Sequence, residues 1–294
     1  MMNMSKTVVF FGSGPVAAKS LAFLASHFEI ETVITKSVPA HHKAVAPVEE
    51  LASRLSLPIL FANTKRELDI VVAEHSFTSG LGVIIDYGVI VSQSVIDTFE
   101  LGIVNSHFSL LPEWRGADPI TFSILSGQPK TGVSLMVIDE GLDTGTLLTQ
   151  KNLAIEPNDT TPTLTDKLIN LSNDLLLEYL PQYQAGKLKP HSQPHPDHAT
   201  FSRKLTKADS ILDFTKPAHV LECEVRAFSG WPKSRMVFGS HQIIVTKAHV
   251  EGDTKKTPLS IVCGDGAFLV IDELIAPSGK TMTADAFLRG YAAG

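Results

Sequence analysis

The sequence predicts an α/β protein: a doubly wound, mostly parallel Rossmann-like sheet followed by a small C-terminal β-barrel-like (OB-like) domain. Three observations predict it. Up to Thr131, short β-rich runs alternate with helical stretches. Runs such as VVFF and GVII are apolar at successive positions, as strands covered by helices on both faces must be. Beyond a stretch rich in Pro, His, Gln and Ser (KPHSQPHPDH), the pattern changes to closely spaced short strands.

The elements follow in order. Thr7 to Phe11 reads as a strand and Pro15 to His27 as a helix, then Ile30 to Thr35 and Val48 to Leu55, Leu81 to Ile85 and Ser92 to Thr98, and a strand at Gly102 to Val104. Strands at Val133 to Ile138 and Thr146 to Ile155 and a helix from Thr163 to Leu180 close the domain. A helix at Ala218 to Phe228 precedes strands at Ser234 to Phe238, Gln242 to Val250, Leu259 to Cys263 and Ala267 to Leu274. The 294 residues suit two domains. The expected division is residues 1–186, a linker at 187–204, and residues 205–294.

Hydrophobic residues make up 44% and charged residues 19%, the balance of a folded globular chain. Cys223 and Cys263 are the two cysteines and have no CxxC spacing, which argues against a disulfide staple or a zinc site. The apolar run at Thr7 to Phe11 is too short for a signal peptide, and no apolar stretch reaches a membrane-spanning length. A cytoplasmic monomer without membrane contact is the expectation. The net charge of −6 is uneven: residues 1–200 hold 13 Lys and Arg against 21 Asp and Glu, and residues 201–294 hold 12 against 10. That asymmetry reads equally as a face for a polyanion or as chance among solvated charges.

Gly12-Ser13-Gly14-Pro15-Val16-Ala17 follows a strand and opens a helix, as a dinucleotide fingerprint does. Thr35, Lys36 and Ser37 stand where the fingerprint needs a ribose-binding acid, so a tight structural turn is the favoured reading. His191, His195 and His198 beside Asp197 lie among Pro190, Pro194 and Pro196, which favours a solvated linker over a metal site. The stretch Val104 to Gly116 carries more chemistry. It begins where a parallel strand ends, the edge at which α/β proteins bind ligands. Asn105 and His107, two apart on extended chain, point the same way. A glycine-bounded loop, Asp139-Glu140-Gly141-Leu142-Asp143-Thr144-Gly145, brings Asp143 back toward His107. No GxSxG elbow marks a serine hydrolase. A metal held by His107, Asp139 and Asp143 lacks paired histidines. The Asn, His and Asp suit acyl transfer to an amine: amide and imidazole hold an oxyanion, and the carboxylate fixes the imidazole's tautomer. The competing reading has Asn105 and His107 capping loops.

Asn105, His107 and Ser109-Leu110-Leu111-Pro112, then Trp114-Arg115-Gly116 and Gly141-Leu142-Asp143-Thr144-Gly145, resemble the signature of the folate-dependent formyltransferases, in particular those that act on methionyl initiator tRNA. The resemblance extends to Phe10 to Gly14, Tyr87-Gly88, Lys204-Leu205, Arg226-Ala227-Phe228, Trp231-Pro232, Gly264-Asp265-Gly266 and Met282, so it spans nearly the whole chain. It implies that Asn105, His107 and Asp143 are catalytic and that Ser109, Leu110, Leu111 and Pro112 seat the tetrahydrofolate, with Tyr87 and Gly88 lining the pterin pocket. It also implies 10-formyltetrahydrofolate as formyl donor and no metal. Initiator methionyl-tRNA is the implied acceptor, gripped by the C-terminal barrel with a basic loop that here holds Lys36, His41, His42 and Lys43. An amino-sugar-nucleotide formyltransferase and a formyltetrahydrofolate hydrolase share the same resemblance in the N-terminal domain. Phe108 and Asp86 stand where the family has small residues.

Overall fold

A computed structural model describes residues 7–38, 46–252 and 259–291. His41, His42 and Lys43 of the expected basic loop lie outside the described residues, as does most of the stretch between Val250 and Leu259. The chain divides into two compact units, and the division is discontinuous. One takes the residues up to Ala117 with Gly132–Leu153 and Asp166–Phe201, and the other takes Asp118–Thr131, Ala154–Thr165 and the residues from Ser202 on.

The elements of the front half are β1 (Thr7–Phe11), α1 (Pro15–Leu24), β2 (Glu29–Thr35), α2 (Pro47–Arg54), β3 (Ile59–Phe61), α3 (Lys65–Ala73), β4 (Gly82–Ile84), α4 (Gln93–Ile96), β5 (Ile103–His107), β6 (Arg115–Gly116), α5 (Pro119–Leu125), β7 (Lys130–Val137), β8 (Thr146–Ala154) and α6 (Thr161–Gln184). Then come β9 (Phe201–Ser202), α7 (Ala218–Ala227), β10 (Ser234–Phe238), β11 (His241–Glu251), β12 (Ser260–Val262), β13 (Phe268–Ile275), β14 (Thr281–Thr283) and α8 (Ala284–Tyr291).

Among the described residues seven strands form the first sheet, in the order β3-β2-β1-β4-β5-β7-β8. β1 pairs in parallel with β2 and β4, β2 with β3, and β4 with β5, whereas β5 meets β7 antiparallel. Every side chain of β1, TVVFF, is buried, which is why its apolar residues run on without alternation. Pro opens α1, α2 and α5, where its missing N–H costs nothing and its fixed φ suits the first turn. The strand order reverses between β1 and β4, so the crevice beyond the carboxyl ends of β1, β4 and β5 is the expected binding edge.

The second unit is an antiparallel half-barrel, ordered β10-β11-β13-β12, with β14 also paired to β13. Leu221 and Val225 of α7 and Phe287 of α8 join Ile243, Val245, Leu269 and Leu274 of the strands in its core. α5 packs on α7 within this unit, and Thr161 Oγ1 donates to the Ala227 carbonyl at 2.6 Å. Among the described elements, β3 with α3, α5, β14, α8 and the two-residue strands β6 and β9 were not expected from the sequence.

Candidate active site

β5 ends at the crevice, and its two-residue period sorts its side chains. Ser106 turns to one face, where its hydroxyl meets Ser172 Oγ at 2.6 Å in the buried interior. Asn105 and His107 occupy the other face. Asn105 is part-exposed, and no side-chain hydrogen bond engages its amide among the described residues. His107 is only 6% exposed.

The imidazole is anchored from the side the sequence did not indicate. Its Nε2 donates to the Trp114 carbonyl at 3.1 Å, while Nδ1 lies 3.8 Å from Asp143 Oδ1, close enough for charge attraction and too far for a hydrogen bond. The expectation that the carboxylate fixes the tautomer is therefore corrected. A backbone carbonyl fixes it, and the lone pair of neutral His107 sits on Nδ1, facing Asp143. Burial pushes the His107 pKa below its ordinary value; Asp143 and the Trp114 carbonyl oppose that, and Arg115 reinforces it.

Asp143 is held by the chain around it. Its Oδ2 accepts the Gly116 N–H at 2.7 Å, so the carboxylate bridges the end of β6 and the imidazole. Asp143 and Trp114 both adopt left-handed backbone, with φ of 51° and 55°. Such conformations cost a non-glycine residue about 1 kcal/mol or more and persist where surrounding structure enforces them. Within the loop, Asp139 Oδ1 accepts the Gly141 N–H at 3.1 Å and the Thr144 hydroxyl at 2.7 Å. At Gly145 a Cβ would fall 2.0 Å from the Val137 carbonyl oxygen, so only glycine allows that approach.

Ser109, Leu110, Leu111 and Pro112 follow His107 as a braced turn. Ser134 Oγ donates to the Ser109 carbonyl at 2.6 Å and accepts the Leu111 N–H at 3.0 Å. Gln150 Nε2 donates to the Leu111 carbonyl at 2.8 Å and to Ser134 Oγ at 2.7 Å. Ser109 and Leu111 are buried, so they shape a wall from behind, and Leu110 is the more open of the four. Tyr87 is likewise 2% exposed and its hydroxyl donates to the Ala62 carbonyl at 3.0 Å, which leaves only its backbone to face a ligand. Gly88, at φ 68°, has its carbonyl held by Lys36 Nζ at 3.1 Å.

The glycine turn after β1 is structural. The N–H groups of Ser13 and Gly14 point to the Asp86 carbonyl at 3.2 and 3.4 Å, and Ser13 Oγ donates to the Tyr87 carbonyl at 2.9 Å. The Asp86 carboxylate fills the space beside Gly14, with Oδ2 only 2.0 Å from where a Cβ would stand. The turn therefore fastens β1 to the 86–88 loop. Among the described residues no group of three or more His, Cys, Asp or Glu is placed to hold a metal.

Of residues 187–204, expected as a linker, those up to Phe201 belong to the first unit. His191 and Leu147 exchange backbone hydrogen bonds at 2.7 and 2.9 Å, and Gln193 is 8% exposed. His195 and His198 stack on each other at the surface. Gln193, Gln150, Ser134 and the Trp114 carbonyl are the parts of the site that sequence reasoning missed. A polar residue between prolines reads as loop, and backbone carbonyls carry no sequence signal.

In the second unit a hollow of about 390 Å³ is lined by Lys207, Lys233, Arg235, Gln242, Ile211 and Trp231, among others. Trp231 is 53% exposed. An open indole among cations is a surface on which a nucleobase can stack while its phosphates are neutralised.

With this geometry in place, the comparisons define the class. Residues 6–180 match the formyl transferase family model and residues 204–292 match the formyl transferase C-terminal domain. The chain belongs to the formyl transferase family. The methionyl-tRNA formyltransferase of Myxococcus xanthus strain DK1622 is 34% identical over 298 residues, covering 97% of this chain and 95% of that protein. That of Roseiflexus castenholzii is 33% identical over 294 residues, covering 94% and 93%. A solved N-formyltransferase from Helicobacter canadensis, in complex with folinic acid and dTDP-3-aminofucose, superposes with a TM-score of 0.69 at 18% identity, covering 91% of this chain and 99% of that one. At that identity the likeness bears on the fold alone.

Proposed function

We propose that the chain transfers the formyl group of 10-formyltetrahydrofolate to the α-amine of initiator methionyl-tRNA, giving formylmethionyl-tRNA and tetrahydrofolate. The acceptor follows from end-to-end similarity to methionyl-tRNA formyltransferases. The observation that carries the chemistry is the buried His107, with Nδ1 facing Asp143 and Nε2 spent on the Trp114 carbonyl, beside the part-exposed Asn105 amide.

In this reading the residues divide the work as follows. Asn105 donates its amide N–H to the oxygen that gains charge as the amine adds to the formyl carbon. His107, kept neutral by burial, accepts on Nδ1 the proton released by the amine. The resulting imidazolium is stabilised by Asp143 and by the Trp114 carbonyl, and it returns the proton to the departing folate nitrogen as the carbon–nitrogen bond breaks. The proton count closes without any metal. Gly88, whose φ of 68° suits glycine, offers its backbone to the pterin edge. Leu110, the more open residue of the turn, supplies apolar contact to the folate, with Ser109, Leu111 and Pro112 shaping the turn behind it.

Residues 1–186 then form the catalytic domain, and residues 205–294 bind the acceptor through the cationic hollow around Trp231. The protein works as a cytoplasmic monomer. The test is formyl transfer by the purified chain, with initiator methionyl-tRNA, an amino-sugar nucleotide and no acceptor compared in parallel. Transfer to the tRNA supports the reading. Transfer to the sugar alone, or formate release without acceptor, overturns it in favour of a sugar formyltransferase or a hydrolase.

A further inference from the structure

The segment after α6 makes a second set of contacts that the chemistry above does not use. Gln193 Nε2 donates to the Asp143 carbonyl at 2.8 Å and to the Gly145 carbonyl at 2.9 Å, so both its N–H groups are engaged. Its Oε1 accepts from Arg115 Nη2 at 2.6 Å, which fixes the orientation of the amide because a guanidinium can only donate. Gln193 and Arg115 are each 8% exposed, a depth at which unmade hydrogen bonds are expensive. The same segment holds the other side of the site. The Thr200 carbonyl accepts the Arg115 N–H at 2.9 Å, and Thr200 Oγ1 accepts the Trp114 N–H at 2.9 Å.

We propose that Gln193 is a positioning residue for formyl transfer: it clamps the left-handed backbone of Asp143 so that the carboxylate faces His107. The inference rests on the proposed role of Asp143. Left-handed backbone at Asp143 is intrinsically disfavoured, and its neighbour Thr144 lacks the freedom of glycine, so the turn needs an outside restraint. Two N–H donors on the carbonyls flanking Thr144 supply one. The Gly116 N–H then sets the carboxylate's rotation. Arg115, which also bears electrostatically on His107, is kept occupied by the Gln193 oxygen. Pro194 and Pro196 follow directly and limit the backbone freedom of the clamp.

Gln193→Glu is the sharp test, because it keeps size and a partner for Arg115 while removing both donors. Steady-state kinetics on the full chain should show kcat reduced roughly 10- to 100-fold, as misplacement of a catalytic group by about an ångström does, with KM for donor and acceptor nearly unchanged. In an Asp143→Ala background the same change should cost nothing further, since its effect passes through Asp143. A second readout needs no turnover and uses Gln193→Leu, which removes both donors without adding a charge: the imidazole NMR titration of His107, which faces Asp143, Arg115 and the Trp114 carbonyl, should move to lower pH as the carboxylate recedes. Wild-type kcat with an unmoved titration would overturn the clamp, and so would losses that multiply in the double variant. Should the wild-type chain formylate no acceptor, the proposed function fails on its own account and the titration alone decides for or against the clamp.

Discussion

His107 stands in competing fields. Burial disfavours its charge, Asp143 and the Trp114 carbonyl favour it, and the net displacement of its pKa is downward. The catalytic consequence has a definite sign. In the proposed mechanism transfer needs the neutral imidazole, so kcat should stay on its plateau as pH falls to the ordinary histidine value near 6.5 and decline only below it. A pH–rate profile under single-turnover conditions checks this, and an acid limb above that value contradicts it. Asn105→Ala should reduce kcat by about 10²- to 10³-fold with little change in KM, the usual loss when one oxyanion donor is removed. The placement of both residues on one face at the end of β5 was legible in the sequence, because an amide and an imidazole two apart on a strand restrict where they can point. The imidazole's true anchor was not legible, since any residue at 114 offers the same carbonyl.

The loops depend on elements distant in sequence. Gln150, from β8, carries the Leu111 carbonyl and Ser134 Oγ, so Gln150→Ala should loosen the Ser109 to Pro112 turn and raise KM for the folate several-fold while kcat changes less. Initial-rate kinetics with the donor varied separates the two effects. Gly145→Ala has nowhere to place its methyl beside the Val137 carbonyl, and the resulting shift of the Asp143 loop should abolish most activity without unfolding the chain. Near-native circular dichroism with lost turnover is the expected pair of results. The strongly apolar strands and the long helix α6 were readable from periodicity. β3, three residues none of which is buried, and α3, whose Lys65, Arg66, Glu67 and Asp69 dilute its apolar face, were not. α5 escaped notice because its seven residues lie directly behind the Trp114-Arg115-Gly116 loop and read as its continuation.

The two units should answer pH in opposite directions. His107 has a lowered folded pKa, so its contribution to stability is present above the unfolded value near 6.5 and is lost as pH falls through the folded one. His249, bonded to Asp272 at 3.0 Å, has a raised pKa; its contribution is complete below that unfolded value and is lost as pH rises through the folded one. The His249 cluster is half-exposed, so its share is the smaller. Amide exchange corrected for its intrinsic pH dependence, compared at pH 5 and 8, should show protection near β5 falling in acid and protection in β11 and β13 falling in base. Uniform behaviour in both units contradicts this. The parallel sheet and the antiparallel second unit were each legible from strand patterning. The discontinuous division was not, because α5 and residues 154–165 join the second unit by packing on α7 instead of by position in the chain. If the cationic hollow binds the acceptor, KM for tRNA should rise steeply with salt, and Lys233→Glu with Arg235→Glu should raise it further while the folate KM stays constant.

The central claim is that Asn105, His107 and Asp143 move a formyl group onto the amine of initiator methionyl-tRNA. The most direct measurement is the single-turnover rate of that transfer from 10-formyltetrahydrofolate, compared between the wild-type chain and His107→Ala. The account predicts efficient formylation by the wild type and a loss of about 10²- to 10⁴-fold in the variant, with tRNA binding retained. A variant that formylates at the wild-type rate, or a wild type that leaves the tRNA unmodified while formylating another amine, would contradict it.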